Sequence, residues 1–179
     1  GDRVQKIGSP FGYTAWHPSG RLAAFSVNKV RQFFHAAGSE VRDVIDLDGG
    51  LSYFRPENRT LKSVPRGSDP ARLESYPNWS PDGAFLYYCS APFLWTDRDH
   101  CPPARYDQVK YDLMRIGYDI AKDRWGEPET VLSADETGLS ILMPRISPDG
   151  RFLVFCMCRY GCFPVYQPSS DLYLLEWAS

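Results

Sequence analysis

At 179 residues, the chain is long enough for one substantial hydrophobic core, and length alone points to one domain. A net charge of -2 excludes an overall basic field of the kind that binds nucleic acid or an anionic membrane surface. No apolar run approaches the roughly 20 residues of a membrane-spanning helix, while aromatics at 15% and 15 prolines favour an all-β chain rich in turns.

In chain order, residues 3–7 (RVQKI) read as an isolated strand. Then comes the first of three related phrases: TAWHPSGRLAAFSVN, YPNWSPDGAFLYYCS and MPRISPDGRFLVFCM. They align without gaps through Trp16-His17-Pro18-Ser19-Gly20, Trp79-Ser80-Pro81-Asp82-Gly83 and Ile146-Ser147-Pro148-Asp149-Gly150. Proline fixes φ for the first corner of a β-turn, Asp or Ser bonds the local backbone, and Gly takes the positive-φ position. An apolar run follows each turn and is expected to pair as a hairpin with the strand before it.

The three turn prolines, at 18, 81 and 148, lie 63 and 67 residues apart. A four-stranded propeller blade needs roughly 40–45 residues, so each repeat carries about twenty more. A second hairpin closes each repeat: LSYFRPENRTLKSV turning at Pro56-Glu57-Asn58-Arg59, then YDLMRIGYDIAKDRWGEPETVLS, and finally one arm, DLYLLEW. The excess therefore falls between second and third strands, at about 27–50, 91–110 and 159–170, as long irregular insertions on one side of the disc. The expected fold is all-β, a partial β-propeller of three four-stranded antiparallel blades in one segment. Residues 1–8 give an outer strand of a preceding or closing blade, 9–66 blade one, 67–134 blade two and 135–179 blade three, which lacks its outer strand. Three blades do not close a ring, and the chain is expected to be a fragment or to join further blades.

The phrases with the strand starts Asp112-Leu113-Met114-Arg115-Ile116 and Asp171-Leu172-Tyr173-Leu174-Leu175 resemble the TolB-like (WD-repeat-like) β-propeller repeat, in three copies over nearly the whole chain. The first copy departs from the pattern, with His17 for Ser and Ser19 for Asp. The resemblance implies a periplasmic or extracellular protein-binding scaffold. WHPSGRLAAFSVNKVRQFFH and YDQVKYDLMRI are similar to a bacterial group whose propellers accompany c-type cytochromes. That implies a c-type, multihaem cytochrome partner, with haem in the partner or in a further segment. No Cys-x-x-Cys-His is present, so this chain attaches no haem by that chemistry. The alternative is the substrate-gating propeller of a larger prolyl-oligopeptidase-like enzyme.

No Gly-x-Ser-x-Gly elbow occurs, and none of the three histidines has a serine partner in sequence, so the segment reads as non-catalytic. Cys156 and Cys158 on one strand, with Cys162 and His100, are weak metal-ligand candidates. Cys89 and Cys156 both stand eight residues beyond a turn proline, where the first copy has Ser26, which suits small spacers between blades. The remaining cysteines offer a disulfide from Cys101 to Cys158 or Cys162, pinning two insertions together. A recognition surface is the leading functional candidate. The insertions carry Arg31, Phe33, Phe34, His35, Phe93, Trp95, Arg98, Arg159, Tyr160, Phe163 and Tyr166, and aromatics with arginine make interface hot spots. Asn58-Arg59-Thr60 and Asn78-Trp79-Ser80 match the glycosylation acceptor pattern.

Overall fold

The structure, a computed structural model, describes residues 12–34, 42–95, 108–159, 163–164 and 170–177, with residues 28–34, 42–47 and 163–164 described by backbone alone. Its strands are β1 (Thr14–Trp16), β2 (Ala23–Phe34), β3 (Arg42–Arg55), β4 (Thr60–Ser63), β5 (Arg72–Trp79), β6 (Phe85–Pro92), β7 (Asp112–Asp119), β8 (Arg124–Leu132), β9 (Ser140–Ile146), β10 (Phe152–Cys158), β11 (Phe163–Pro164) and β12 (Ser170–Glu176). A single helical turn, α1 (Ala134–Thr137), links β8 to β9; Ser133 caps it and Gly138 ends it in the left-handed region.

Three antiparallel sheets follow the order β1-β2-β3-β4, β5-β6-β7-β8 and β9-β10-β12, so each starts with the strand before a turn phrase. Each turn builds itself from the repeated residues. In the second copy the Gly83 N–H donates to the Ser80 carbonyl at 2.9 Å, the Ala84 N–H to Asp82 Oδ1 at 2.9 Å and the Phe85 N–H to Ser80 Oγ at 2.9 Å. Ser147, Asp149, Gly150 and Phe152 repeat the pattern.

The sheets stack face to face, as propeller blades do. Leu22, Ala24, Leu51, Tyr53 and Val64 of the first meet Trp79, Leu86, Tyr88, Ile116 and Tyr118 of the second. The other face of the second sheet, through Leu73, Tyr87, Cys89 and Leu113, packs on Leu142, Leu153, Phe155 and Cys158 of the third. Ser26 and Cys89 are fully buried and Cys156 half-buried. A bulky side chain at either buried position would wedge the strands apart.

Three features depart from the expected regularity. First, the first insertion is not irregular. β2 and β3 run on as a long antiparallel ribbon through Val30↔Asp46 to Phe34↔Arg42, because the alternating residues VRQFF and RDVID keep pairing beyond the blade. Second, the third insertion contributes β11, which pairs with the ribbon at Phe163↔Val44 and Pro164↔Asp43. Third, Tyr76 and Met143 take positive φ, 57° and 55°, each five residues before its turn proline. The ladder slips at both places, between Ser75 and Asn78 and opposite Val154 and Cys156. A side chain with a Cβ is strained there, and packing holds it. Tyr76 is buried against Tyr13 at 4.3 Å between ring centroids and Tyr111 at 6.3 Å.

The third sheet ends at β12, with no fourth strand among the described residues. Tyr173 and Leu175 pack inward, whereas Leu172 and Leu174 alternate outward and are 72% and 62% exposed.

Candidate functional site

His17 replaces the turn serine of the other copies and does two jobs. Its Nδ1 takes over the local role, accepting from the Ser19 N–H at 3.1 Å and lying 2.8 Å from Ser19 Oγ. Its Nε2–H then reaches across to the second sheet and donates to the Gly83 carbonyl at 3.1 Å. The ring is buried, edge-on to Trp79 at 4.7 Å and Tyr118 at 6.0 Å. Burial, aided by the Arg55 and Arg21 charges, lowers the imidazole below its usual value against the pull of the Gly83 bond.

A group held neutral in the fold stabilises it fully above its unfolded pKa, near 6.5, and progressively less as pH falls toward the folded value. The stability gap between the native chain and His17→Ala is therefore expected to shrink as pH drops from 7.5 to 5.5. The slope is up to about 1.4 kcal/mol per unit below 6.5. Urea unfolding of both chains at each pH measures it; a gap independent of pH would contradict the buried neutral ring.

Beside His17, Asp123 joins the same two sheets. It stands in the β7–β8 turn at φ 49° and accepts from Arg55 Nη2 at 2.8 Å and from the Tyr118 hydroxyl at 2.8 Å. Tyr53 completes the set at 3.4 Å. Burial alone would push the Asp123 carboxyl up, but the Arg55 and Tyr118 hydrogen bonds hold it below the usual carboxylate range. Trp125 packs over the group, 4.3 Å from Tyr118 and 5.8 Å from Trp79. This end of the stack is scaffold.

Between second and third sheets, a cleft of about 460 Å³ opens beside the turns and is lined by Asp82, Tyr87, Arg115, Asp149 and Trp177. Its charges are committed. Asp82 and Asp149 fold into their own turns, while Arg115 is held by Glu129 at 2.7 Å and lies over Phe85 at 4.6 Å. Asn78, in the second acceptor motif, bonds the Ile146 N–H through Oδ1 at 2.9 Å, tying second sheet to third; that use opposes glycosylation in the folded state. Asn58 Oδ1 accepts from the Thr60 N–H and hydroxyl inside an exposed turn.

The opposite end carries the insertions. Arg31, Phe33 and Phe34 lie on the β2 extension, at ladder positions opposite Ile45, Asp43 and Arg42, and Phe163 joins that ribbon through β11. The three-stranded arrangement β2-β3-β11 thus places residues from the first and third insertions side by side. Phe93 is half-buried on Trp95, 4.9 Å between centroids. Trp95 itself is only 6% exposed in the cluster with Leu73, Tyr76 and Leu142, so it serves the core and not an open recognition surface. Arg159 is exposed at the end of β10. His35, Arg98, Tyr160 and Tyr166 lie outside the described residues, as do His100, Cys101 and Cys162.

Cys89 and Cys158 are buried, Cys158 at 1% exposure, and Cys156 is half-buried. Cys158 packs beside Leu142, and Cys101, its expected bridge partner, lies outside the described residues. The other pairing, Cys101 with Cys162, lies outside the described residues. Among the described residues no three His, Cys, Asp or Glu side chains gather closely enough to hold a metal ion, and no helix is long and apolar enough to cross a membrane.

One buried group carried no signal in the sequence. Glu74 on β5 reads there as one more polar residue in a strand, yet it is 1% exposed. Only its alternation with buried Leu73 and Ser75, on a strand covered on both faces, could have flagged it.

No family model matches the chain, and no curated protein matches it. Solved structures do. A protein assigned as TolB from Agrobacterium tumefaciens superposes at a TM-score of 0.57 with 14% identity, over 95% of this chain and 47% of that one. TolB from Acinetobacter baumannii gives 0.37 with 12% identity, over 94% and 45%. A mutant apocarotenoid oxygenase from Synechocystis gives 0.43 with 14% identity, over 94% and 38%. The chain spans about half the length of the TolB structures it matches. With three stacked antiparallel sheets and the turn phrase opening each, its fold is a partial β-propeller of the TolB type.

Proposed function

We propose that this chain is a non-catalytic, extracytoplasmic protein-binding propeller segment that docks a partner through the β2-β3-β11 ribbon. The carrying observation is the β11 pairing, which joins two insertions into one platform on a rigid stack. Elaborated segments fixed to a scaffold are where binding residues concentrate. Arginine and phenylalanine occur together on that ribbon, at Arg31, Phe33 and Phe163, in the composition of interface hot spots. The proposed partner is a c-type, multihaem cytochrome, for which the sequence similarity of the first and second repeats argues. The exposed Leu172 and Leu174 on β12 suit further propeller blades as a second kind of partner.

Titration of a purified multihaem c-type cytochrome into the chain tests this. Binding is expected, with Phe33→Ala and Phe163→Ala each weakening it about tenfold or more, and Trp177→Ala at the turn-end cleft leaving it unchanged. Equal affinity across all three variants would contradict docking on the ribbon.

A further inference from the structure

A second cleft, of about 360 Å³, lies on the face of the second sheet that turns toward the first, roofed by the β4–β5 link. Its inner wall holds Glu74 and Tyr88, each 1% exposed, and Met114 and Pro128 make the apolar side. One hydrogen bond reaches the Glu74 carboxyl among the described residues, from the Asp69 N–H to Oε2 at 3.1 Å. The other oxygen, Oε1, receives none, and the Tyr88 hydroxyl makes no hydrogen bond among the described residues either. Two polar side chains, both more than nine-tenths buried, therefore bring unused bonding capacity to one cavity. Groups in that position are normally satisfied.

The charges around the cleft favour one kind of ligand. Its two guanidiniums already have carboxylates: Arg66 pairs with Glu127, and Arg72 with Asp112 at 3.3 Å. Arg72 is further tied to Ser90 Oγ at 2.6 Å. Asp69 and Glu74 are the remaining acids of the lining; among the described residues neither stands in a salt bridge, and the charge that reaches Glu74 from Arg72 is opposed by that of Asp69. Desolvation pushes the Glu74 carboxyl up to about 8, against the pull of the Asp69 N–H, so near neutral pH it holds a proton where a cation would serve.

We infer that this cleft is a binding site for a primary alkylammonium group, its nitrogen received by Glu74 and the Tyr88 hydroxyl and its alkyl stem lying on Met114 and Pro128. On binding, R–NH3+ replaces the carboxyl proton: Glu74 becomes carboxylate and one proton passes to solvent. The ammonium can come from a small free amine or from a lysine side chain. The site is independent of the ribbon docking proposed above.

The test is calorimetric titration of the full chain with n-butylamine and cadaverine, and with an acetylated, amidated Gly-Lys-Gly peptide, in two buffers of different ionisation enthalpy. Saturable binding is expected, with close to one proton released at pH 7 and affinity about tenfold higher at pH 9, as a carboxyl titrating near 8 requires. Glu74→Gln keeps an acceptor for the Asp69 N–H and is expected to weaken binding at least tenfold. Tyr88→Phe is expected to weaken it about threefold to tenfold, and it carries the test if the first variant does not fold. Amines that bind while the peptide does not identify a free amine as the source. Peptide binding identifies a lysine. Tighter binding of butyrate or equal binding of n-butanol would overturn the inference, as would unchanged affinity in Glu74→Gln or no binding of any ammonium probe.

Discussion

Asp123→Ala is expected to destabilise the chain by about 3 kcal/mol or more, the largest effect of any single side chain at the junction of first and second sheets. The reason lies in what it abandons. Arg55 has a side chain 6% exposed, and Asp123 is its close carboxylate at 2.8 Å; the more exposed Glu57 stands at 3.5 Å. Removing the acid leaves a buried guanidinium and the Tyr118 and Tyr53 hydroxyls without their shared acceptor. The double variant Asp123→Ala with Arg55→Met is expected to recover part of the loss, because an apolar side chain needs no counter-charge. Urea midpoints measure both. A loss under about 1 kcal/mol would mean that the pair behaves as an ordinary surface ion pair.

The turn glycines supply the second prediction. Gly20, Gly83 and Gly150 occupy equivalent positions at φ 70°, 74° and 75°, so an alanine at any of them meets the same backbone strain, about 1 kcal/mol. Their surroundings differ. A Cβ at Gly20 meets nothing within 4 Å and at Gly150 only Pro81 at 3.8 Å, but at Gly83 it would lie 2.3 Å from His17 Nε2. His17 cannot swing aside, being locked by Ser19, Trp79 and Tyr118. Gly83→Ala is therefore expected to cost about 3 kcal/mol or more, against about 1 kcal/mol for the other two. Similar losses at all three sites would show that His17 gives way freely.

These two sites also show what the sequence could and could not reveal. The turn phrase was legible because its chemistry is local: Pro sets φ, Asp or Ser bonds the nearby backbone, and Gly takes the left-handed corner. Repetition of that phrase announced the sheets. His17 was visible as a departure from the pattern, but its reach to Gly83 spans 66 residues and depends on how two sheets stack. Asp123 sits in a turn, as the sequence suggests, but two of its partners, Arg55 and Tyr53, arrive from the neighbouring blade. The bulges at Tyr76 and Met143 carry no sequence mark, since nothing about either side chain asks for positive φ. Loop position suggests exposure for Trp95, whereas the packing of second sheet on third buries it. The ribbon is hidden in the sequence for a related reason: its length looks like excess over a blade, although the pairing simply continues.

Hydrogen exchange of the chain with and without a multihaem c-type cytochrome tests the central claim most directly, because it reports backbone protection position by position. The account predicts that the partner slows exchange along the ribbon, at residues 30–34, 43–46 and 163–164, and leaves the turns at 18–20, 81–83 and 148–150 unchanged. Protection confined to those turns, or none on the ribbon at saturating partner, would contradict it.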